Sequence, residues 1–293
     1  MSTTVQALEA SGKNHTWIFW PSILLFLTCL LYAPVLKLLV MQWWNDPDYA
    51  HGFFVPLVSG YVLWHQRDGW LKSKLRPSNF GFLVMTGGLV LLFGGLIGAE
   101  LFTSRFSLLV VLAGMVLFLG GWRLLRSVSF PLGFLIFMIP IPVIIYNQVT
   151  FPLQLLASRF ATSWLELLQV PVFREGNVLV LPNYSLEVVE ACSGVRSLLT
   201  LISLAVAYGY LADQRRWVRY ILPVLMVPIA ILSNAMRILG TGLLTYHFGP
   251  KAAEGFFHEF SGWMIFVVAL VLMLVCHQVL KGIGKAQQQI AHD

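Results

Sequence analysis

The chain has 293 residues, of which 58% are hydrophobic and only 11% carry a charge. Soluble domains carry about 25% charged residues, so this composition excludes the water-soluble fold classes and predicts an all-α polytopic membrane protein. The net charge of +6 does not indicate nucleic-acid binding, because the Lys and Arg residues lie in short loops, where they orient helices in a bilayer.

A helix that crosses a bilayer needs about 20 mostly apolar residues. Eight segments meet this requirement within the tolerance of their ends, and the second of them is the shortest. The predicted spans are residues 17–40, 50–65, 80–99, 106–122, 128–147, 190–211, 217–238 and 259–280. Residues 1–16 are polar and lack the small-residue cleavage site of a signal peptide, so we expect a cytoplasmic N-terminus followed by a retained first span.

The charge of the loops orients these spans, because loops rich in Lys and Arg stay in the cytoplasm. The basic residues are Arg67, Lys72, Lys74 and Arg76 in one loop, Arg123 and Arg126 in a second, Arg215, Arg216 and Arg219 in a third, and Lys281 and Lys285 in the tail. The loop Asn45-Asp-Pro-Asp48 has neither Lys nor Arg and is expected outside. The chain is thus predicted to form one integral-membrane domain over residues 1–293, with a short cytoplasmic tail at 281–293.

Residues 151–169 are a ninth apolar candidate, which carries Arg159 and Glu166. With both termini inside, the number of spans is even, and this segment stays on the outer side. Its Phe, Leu and Trp positions share one face, while Ser158, Thr162 and other polar residues lie elsewhere. This pattern is typical of a helix in the membrane interface, so eight spans are favoured over nine.

Residues 172–189 predict a small β-hairpin. Its strands are Val178-Leu-Val-Leu181 and Ser185-Leu-Glu-Val-Val189, on either side of Pro182-Asn-Tyr184. Open sheet edges are not stable in lipid, so we expect the hairpin to lie outside the cytoplasm, where it caps the membrane.

The segment Glu190-Ala-Cys-Ser-Gly-Val-Arg196 is the most informative polar group of the sequence. It puts a carboxylate, a thiol and a guanidinium at the start of an apolar span, where charge is costly and tends to be functional. Cys29 and Cys276, in contrast, lie inside apolar runs and are predicted to be packing residues. The three cysteines are far apart without Cys-x-x-Cys spacing, which argues against a disulfide framework and a metal site, and we expect no cofactor.

Two later elements reach the same membrane face in this topology. Asn234 and Arg237 lie at the outer end of the seventh span and His258 at the outer start of the eighth, while Cys192 opens the sixth. Thiol catalysis needs a base or cation that raises the thiolate fraction and a donor for the developing oxyanion. Each residue also has a simpler interpretation, as an inert thiol, an interface anchor or an arginine that extends to lipid headgroups. Their combination favours a membrane thiol enzyme.

These motifs resemble those of the exosortases, multi-spanning cysteine enzymes of Gram-negative bacteria. Residues 190–196 resemble the active-site signature, Asn234-Ala-Met-Arg237 the Asn-x-x-Arg element, and His258-Glu-Phe-Ser-Gly262 the His-x-x-x-Gly element. Further matches are Tyr49-Ala-His-Gly-Phe-Phe-Val-Pro56, Pro140-Ile-Pro142 and Gly176-Asn177. The resemblance runs over most of the chain in the same order, and Ser-Gly after the cysteine is similar to the bacterial branch rather than to archaeosortases.

The resemblance implies a cysteine-type endopeptidase or transpeptidase of the bacterial inner membrane, with its active site facing the periplasm. Such an enzyme cleaves C-terminal PEP-CTERM sorting signals through a thioacyl-enzyme, in connection with exopolysaccharide. Cys192 would be the nucleophile, His258 the acid/base and Arg237 the cation that binds the oxyanion or polarises the thiol. The residues with implied supporting or substrate-binding roles are Glu190, Ser193, Gly194, Arg196, Asn234 and His51. The implied partners are proteins that end in a Pro-Glu-Pro motif, a membrane helix and a basic tail, together with membrane lipids.

Two other functions remain as alternatives. A transporter or flippase for exopolysaccharide predicts ionisable residues near mid-membrane and usually two related halves, whereas here the ionisable residues cluster at the outer edge and the halves look unrelated. A non-catalytic assembly factor for exopolysaccharide would make Cys192 dispensable.

Overall fold

The computed structural model describes the backbone of residues 3–71, 75–182, 184–187, 193–249 and 256–290. It describes the side chains of residues 21–71, 75–182, 184–186, 198–249 and 262–283. The contacts group the chain into two compact units, Met1–Pro140 and Ile141–Asp293. The single domain expected over the whole chain stays a prediction.

The first unit is helical. It contains α1 (Thr3–Asn45), α2 (Phe54–His65), α3 (Arg67–Leu71), α4 (Phe80–Ile97), α5 (Leu101–Ser127) and α6 (Ser129–Phe134), with 3-10 turns at Pro47–Phe53 and Leu135–Met138. Polar contacts join α1 to α5: the hydroxyls of Tyr32 and Ser107 are 2.8 Å apart, and Arg105 Nη1 donates to Gln42 Oε1 at 2.7 Å. Such contacts fix a helix pair in a membrane, where apolar packing is the same against protein and against lipid.

Helices α4 and α5 pack through small residues. On α4, Gly81, Gly88 and Gly95 recur every seven residues and are buried on one face. On α5, a Cβ added to Gly114 would lie 2.6 Å from the backbone nitrogen of Met85. Small residues let the backbones of membrane helices approach closely, so these glycines determine the closeness of the α4–α5 pair.

The second unit combines helices with a small sheet. It contains α7 (Val143–Leu167), β1 (Phe173–Glu175), β2 (Val178–Leu181), β3 (Tyr184–Glu187), α8 (Ser193–Ala212), α9 (Arg216–Phe248) and α10 (Phe256–Ile290). The three strands are antiparallel in the order β1-β2-β3, with Val180 opposite both Phe173 and Ser185. The predicted hairpin is confirmed as β2–β3, and β1 is an additional strand that the sequence analysis missed.

The second unit has two apolar cores, one on each side of α9. The first joins α7, the sheet and α9 through Ala157, Ala161, Leu165, Leu179, Leu181, Leu186, Ala235 and Ile238. The second joins α8, α9 and α10 through Leu198, Leu201, Ala205, Leu222, Met226, Ala230, Ala269 and Met273. Helix α9 therefore lies between two groups of neighbours.

Among the described residues, five helical segments are long and apolar enough to cross a membrane. They are Pro21–Asn45, Phe80–Ile97, Leu101–Ser127, Arg216–Phe248 and Gly262–Ile283. The number rises to six if Ser129–Met138 and Val143–Leu167 are counted together as one broken span. The prediction of a helical multi-spanning membrane protein is confirmed, while the count of eight spans is not.

Three of the predicted spans account for the difference. Residues 50–65 contain only the 12-residue helix α2, about 18 Å long, whereas the hydrocarbon layer is about 30 Å thick. Residues 128–147 do not form one helix, because Ile139 is extended before Pro140, as the residue before a proline prefers to be. The third, residues 190–211, contains the 20-residue helix α8, of which side chains are described only for Leu198–Ala212, so its crossing of the membrane stays a prediction.

The predicted interfacial helix at 151–169 is the greater part of α7. The helix runs without a break from Val143, so the expected boundary near residue 147 is wrong. Ser158 and Thr162 are buried, whereas Phe160 is 44% exposed. The buried side of this segment is mixed, because Ser158 and Thr162 lie on it with the apolar residues Ala157, Ala161 and Leu165, whereas Arg159 and Glu166 are exposed. The position of the segment relative to the bilayer stays a prediction.

Candidate active site

Helix α9 carries Asn234 and Arg237, three residues apart on one side of the helix. Their exposed fractions are 1% and 3%, and both have interaction partners in the structure. A guanidinium keeps its charge in proteins, and burial of a charge is costly unless polar groups meet it. The burial of Arg237 argues against the interpretation in which this side chain extends to lipid headgroups.

The face of α9 that carries Arg237 is the face towards α8 and α10. Met226 and Ala230 pack in the core shared with those two helices. Arg237 follows Ala230 by seven residues, or about two turns, so it continues the same face. By the same spacing Ser233 follows Met226. Arg237 and Ser233 therefore extend this apolar stripe with polar groups.

Arg237 also lies near the level at which α8 begins. A Cβ on Gly209 would lie 3.6 Å from the Cα of Arg219 and 3.6 Å from the Cδ2 of Leu222, which fixes the register of the antiparallel pair α8–α9. Along α8, the count from Gly209 back to Ser193 is sixteen residues. Along the antiparallel helix α9, the same count forward from Arg219 and Leu222 leads to positions 235 and 238. Because two helices rise equally per residue, Arg237 is close in height to the first turn of α8.

The other predicted site residues lie at the starts of α8 and α10. They are Ser193, Gly194 and Arg196 in the first turn of α8, and His258 in the first turn of α10. The structure describes the backbone of these four residues but not their side chains. Cys192 and Glu190 lie outside the described residues, and the catalytic roles of all these residues stay predictions.

His51 belongs to the first unit, in the 3-10 turn before α2. Its Nε2 is 3.2 Å from the carbonyl oxygen of Phe137. Burial lowers the pKa of His51, although hydrogen bonds to the backbone of Phe137 and Asp48 act in the opposite direction, so the ring is neutral at pH 7. The contact ties the segment 49–56 to Phe137, three residues before Pro140.

The sequence analysis missed two polar features of the second unit. Ser233 is 6% exposed, and its Oγ makes no hydrogen bond to the residues that the structure describes. A larger group at the other end of α8 contains Tyr208, Asp213, Arg215 and His277. The sequence offered one signal for this group, since His277 lies inside an apolar run. Ionisable residues within spanning helices are functional candidates by default.

Within the described part of the chain, no group of three or more His, Cys, Asp or Glu residues is arranged to hold a metal ion. Chemically, α9 offers a buried cation and a buried amide, and the cation lies near the height of the first turn of α8. A buried guanidinium stabilises a developing negative charge more strongly than an exposed one, because water does not screen it.

Comparison with known proteins identifies the family. The description of the transmembrane exosortase family matches residues 43–275, a range that includes every motif residue discussed above. No curated protein and no solved structure matches the chain. Because the match covers most of the sequence and agrees with the multi-spanning helical fold, the chain belongs to the transmembrane exosortase family.

Proposed function

We propose that this protein is a cysteine-type endopeptidase or transpeptidase that cleaves PEP-CTERM sorting signals at the periplasmic face of the bacterial inner membrane. The observation that carries the proposal is the burial of Arg237 and Asn234 on α9, with Arg237 on the face towards α8 and α10. The first residue of α8 directly follows Cys192 in the sequence, and the first turn of α10 carries His258. Membership of the transmembrane exosortase family supports a cysteine-type transpeptidase.

The proposed reaction begins with transfer of the Cys192 thiol proton to His258. The thiolate attacks the scissile carbonyl carbon, and the oxygen becomes an oxyanion that Arg237 stabilises. The carbon–nitrogen bond then breaks as His258 returns the proton to the leaving amine, which leaves a thioacyl-enzyme. Water or an amine of an acceptor next attacks the thioester, loses a proton to His258, and releases Cys192 as the thiol.

The position of Cys192 directly before α8 supports its reactivity. The N-terminus of a helix carries partial positive charge, and thiol pKa values fall at such positions and beside cations. Arg237 would act in the same sense from α9. Asn234, one turn away, would orient the guanidinium or the substrate, and Arg196 would pair with the glutamate of the Pro-Glu-Pro motif.

The substrate would be a protein with a Pro-Glu-Pro motif, one membrane helix and a basic tail. Its helix would lie in the bilayer beside the enzyme, whose helices expose large apolar side chains such as Leu232 and Met236. The scissile bond would then lie at the outer interface, and release would connect protein sorting with the surface and with exopolysaccharide.

The proposal is tested by expressing the enzyme in an inner membrane together with a tagged PEP-CTERM protein. We expect Cys192→Ala to leave the substrate at full length, because this variant lacks the proposed nucleophile. Cys29→Ala and Cys276→Ala serve as controls and should process the substrate normally. Full processing by a Cys192→Ala enzyme would refute the mechanism and favour the non-catalytic assembly factor.

The histidine is tested in the same assay. General acid–base groups contribute about 10²–10⁴-fold to a rate, so His258→Ala should abolish detectable processing while the protein still accumulates in the membrane. His247→Ala is the control, because His247 lies in the last turn of α9 outside the His-x-x-x-Gly element. A larger loss with His247→Ala than with His258→Ala would show that the acid/base residue is misassigned.

A further inference from the structure

A buried polar network joins α8 to α10 at the ends of these helices far from Ser193 and His258. Tyr208 Oη is 3.0 Å from His277 Nδ1, and His277 Nε2 is 3.3 Å from Asp213 Oδ2. Arg215 holds both oxygens of the same carboxylate, from Nη2 at 2.6 Å and from Nε at 3.0 Å. Asp213 and His277 are 7% and 3% exposed. We call Tyr208, Asp213, Arg215 and His277 the register cluster.

The contacts determine which atom of the cluster donates each hydrogen bond. The hydrogen bonds from Arg215 are the largest cause that holds the pKa of Asp213 well below its usual range, and the carboxylate is therefore ionised. An ionised carboxylate only accepts, so His277 Nε2 carries a proton and donates to Asp213. The remaining nitrogen, Nδ1, then accepts from the Tyr208 hydroxyl when the ring is neutral. Every polar atom in this chain of contacts has a partner.

The cluster relates the heights of the two helices that flank the proposed site. Helices α8 and α10 run in the same direction, because each is joined to α9 by a short connection. Counting fifteen residues back from Tyr208 and from His277 gives Ser193 and Gly262, each about 22 Å along its helix from the cluster. His258 precedes Gly262 by four residues, or about one turn. When the cluster is formed, the start of α8 and His258 therefore lie within about one helical turn of each other, measured along the helix axes.

Apolar packing alone would not fix this relation. The surface between α8 and α10 includes Ala205, Ala269 and Met273, whose contacts have no strong directional preference. Lipid tails are as apolar as these side chains, so sliding of one helix past the other has little hydrophobic cost. Hydrogen bonds weaken steeply with distance and angle, and a slip of one turn moves partners by about 5.4 Å.

We propose that the register cluster is a positioning group that fixes the axial register of α8 relative to α10, and thereby the distance between Cys192 and His258. This inference rests on the proposed function for its consequence in catalysis. The register itself does not depend on that function. The cluster would act at the opposite end of the helices from the reacting atoms, through the rigidity of the two helices.

The first test measures the register without catalysis. In a protein with Cys29, Cys192 and Cys276 changed to Ala, spin labels are attached at Leu199→Cys and Met264→Cys, and their distance distribution is recorded. With the cluster intact we expect one narrow distribution. His277→Ala should broaden it or shift it by several ångström. An unchanged distribution in both His277→Ala and Asp213→Asn would overturn the proposal, whatever the role of Cys192.

The second test measures turnover of the full enzyme in membranes. A misplacement of about 1 Å costs roughly 10²-fold in rate, so His277→Ala should lower kcat about tenfold to a hundredfold with little change in KM. Met273→Ala is the matched control, because it creates a cavity on the same helix one turn away and leaves the cluster intact. It should lower thermal stability at least as much, yet keep kcat per folded enzyme.

Conservative variants separate positioning from folding. His277→Gln keeps a donor for Asp213 and should recover part of the kcat that His277→Ala loses, whereas Tyr208→Phe removes one hydrogen bond and should have the smaller effect. Equal kcat in His277→Ala and Met273→Ala enzymes, at equal folded amount, would reduce the cluster to a purely stabilising contact. A third outcome separates the two proposals. If His277→Ala shifts the register but even the unmodified enzyme processes no substrate, the proposed function fails while the inference on the register stands.

Discussion

Among the arginines whose side chains the structure describes, only Arg105 and Arg237 are buried. At 3% exposure, the guanidinium of Arg237 has little contact with water and must be met by protein groups or by a substrate. A planar guanidinium offers paired donors in a fixed geometry, while a lysine ammonium is a mobile and strongly hydrated point charge. The identity of residue 237 should therefore matter in addition to its charge.

We predict that Arg237→Lys keeps the fold and substrate binding but lowers cleavage by about 10²–10³-fold, the loss typical of one oxyanion donor. The readout is the rate of processing of a tagged substrate per amount of folded enzyme. Arg159→Lys is the control, because Arg159 is exposed on α7 and should tolerate the change. A well-expressed Arg237→Lys enzyme with wild-type cleavage would contradict the catalytic assignment.

His51 gives a prediction about pH. Burial lowers its pKa from the usual value of 6.5, so the unfolded chain binds a proton more readily than the folded one. The resulting stability is fully present above about pH 6.5 and is lost as the pH falls through the lowered pKa.

The thermal unfolding temperature of the detergent-solubilised protein should therefore fall more between about pH 7.5 and pH 5.5 in the wild type than in His51→Gln. His65→Gln provides the comparison, since His65 is exposed at the end of α2 and its loss should leave the wild-type pH profile. Identical pH profiles for the wild type and His51→Gln would mean that folding does not lower the pKa of His51 as described.

At the scale of elements, the α4–α5 pair illustrates how helices associate in a membrane. Close packing stabilises the pair, because lipid is as apolar as the helices and the hydrophobic effect does not drive their association. The glycines of this pair sit where a side chain has no room. Gly114 faces the backbone of Met85, whereas a Cβ on Gly87 would meet nothing within 4 Å. Two glycines on one hairpin thus have opposite tolerance.

We predict that Gly114→Leu destabilises the protein by about 1–3 kcal/mol or more, because overpacking forces the helices apart. Gly87→Leu should be neutral or slightly stabilising, since leucine has the higher helix propensity by roughly 0.8 kcal/mol. Thermal unfolding of the two variants in the same detergent measures the difference. Equal stability of both would show that α4 and α5 do not approach as closely as described.

Helix α7 shows the limit of pattern analysis at this scale. Its polar positions on one side and apolar positions on the other predicted an interfacial helix with its polar face in water. Ser158 and Thr162 are instead buried beside Ala157 and Ala161. Arg159 and Glu166, in contrast, are exposed. Small polar residues often mark the side of a membrane helix that packs against other helices, so the polar residues of this pattern do not all lie on one side of the buried surface.

For the whole molecule, the orientation in the membrane is the prediction with the widest consequence. In a protein with Cys29, Cys192 and Cys276 changed to Ala, a membrane-impermeant thiol reagent on the periplasmic side should label Ser185→Cys in β3. It should label Asn79→Cys, beside the basic loop, only after the membrane is opened. Both positions are exposed, so access depends on the side of the membrane. The reverse pattern would put the sheet in the cytoplasm and contradict periplasmic sorting.

The sequence by itself determined the class of this protein and its family. Composition and long apolar runs required a helical membrane protein, because unpaired backbone groups are too costly in lipid. The alternation over residues 178–187 predicted β2–β3, and the short motifs at 190–196, 234–237 and 258–262 pointed to the exosortases. All of these signals are local, and each can be recognised without knowledge of the remote neighbours of a residue.

Only the tertiary structure decided which side of α7 is buried, that Arg237 is buried, and what surrounds His277. Hydropathy is nearly the same for a side chain that faces lipid and for one that faces another helix, so it does not reveal helix contacts. The link from Tyr208 through His277 to Asp213 joins residues more than sixty positions apart. Such contacts depend on the register between packed helices, a property that no single segment carries.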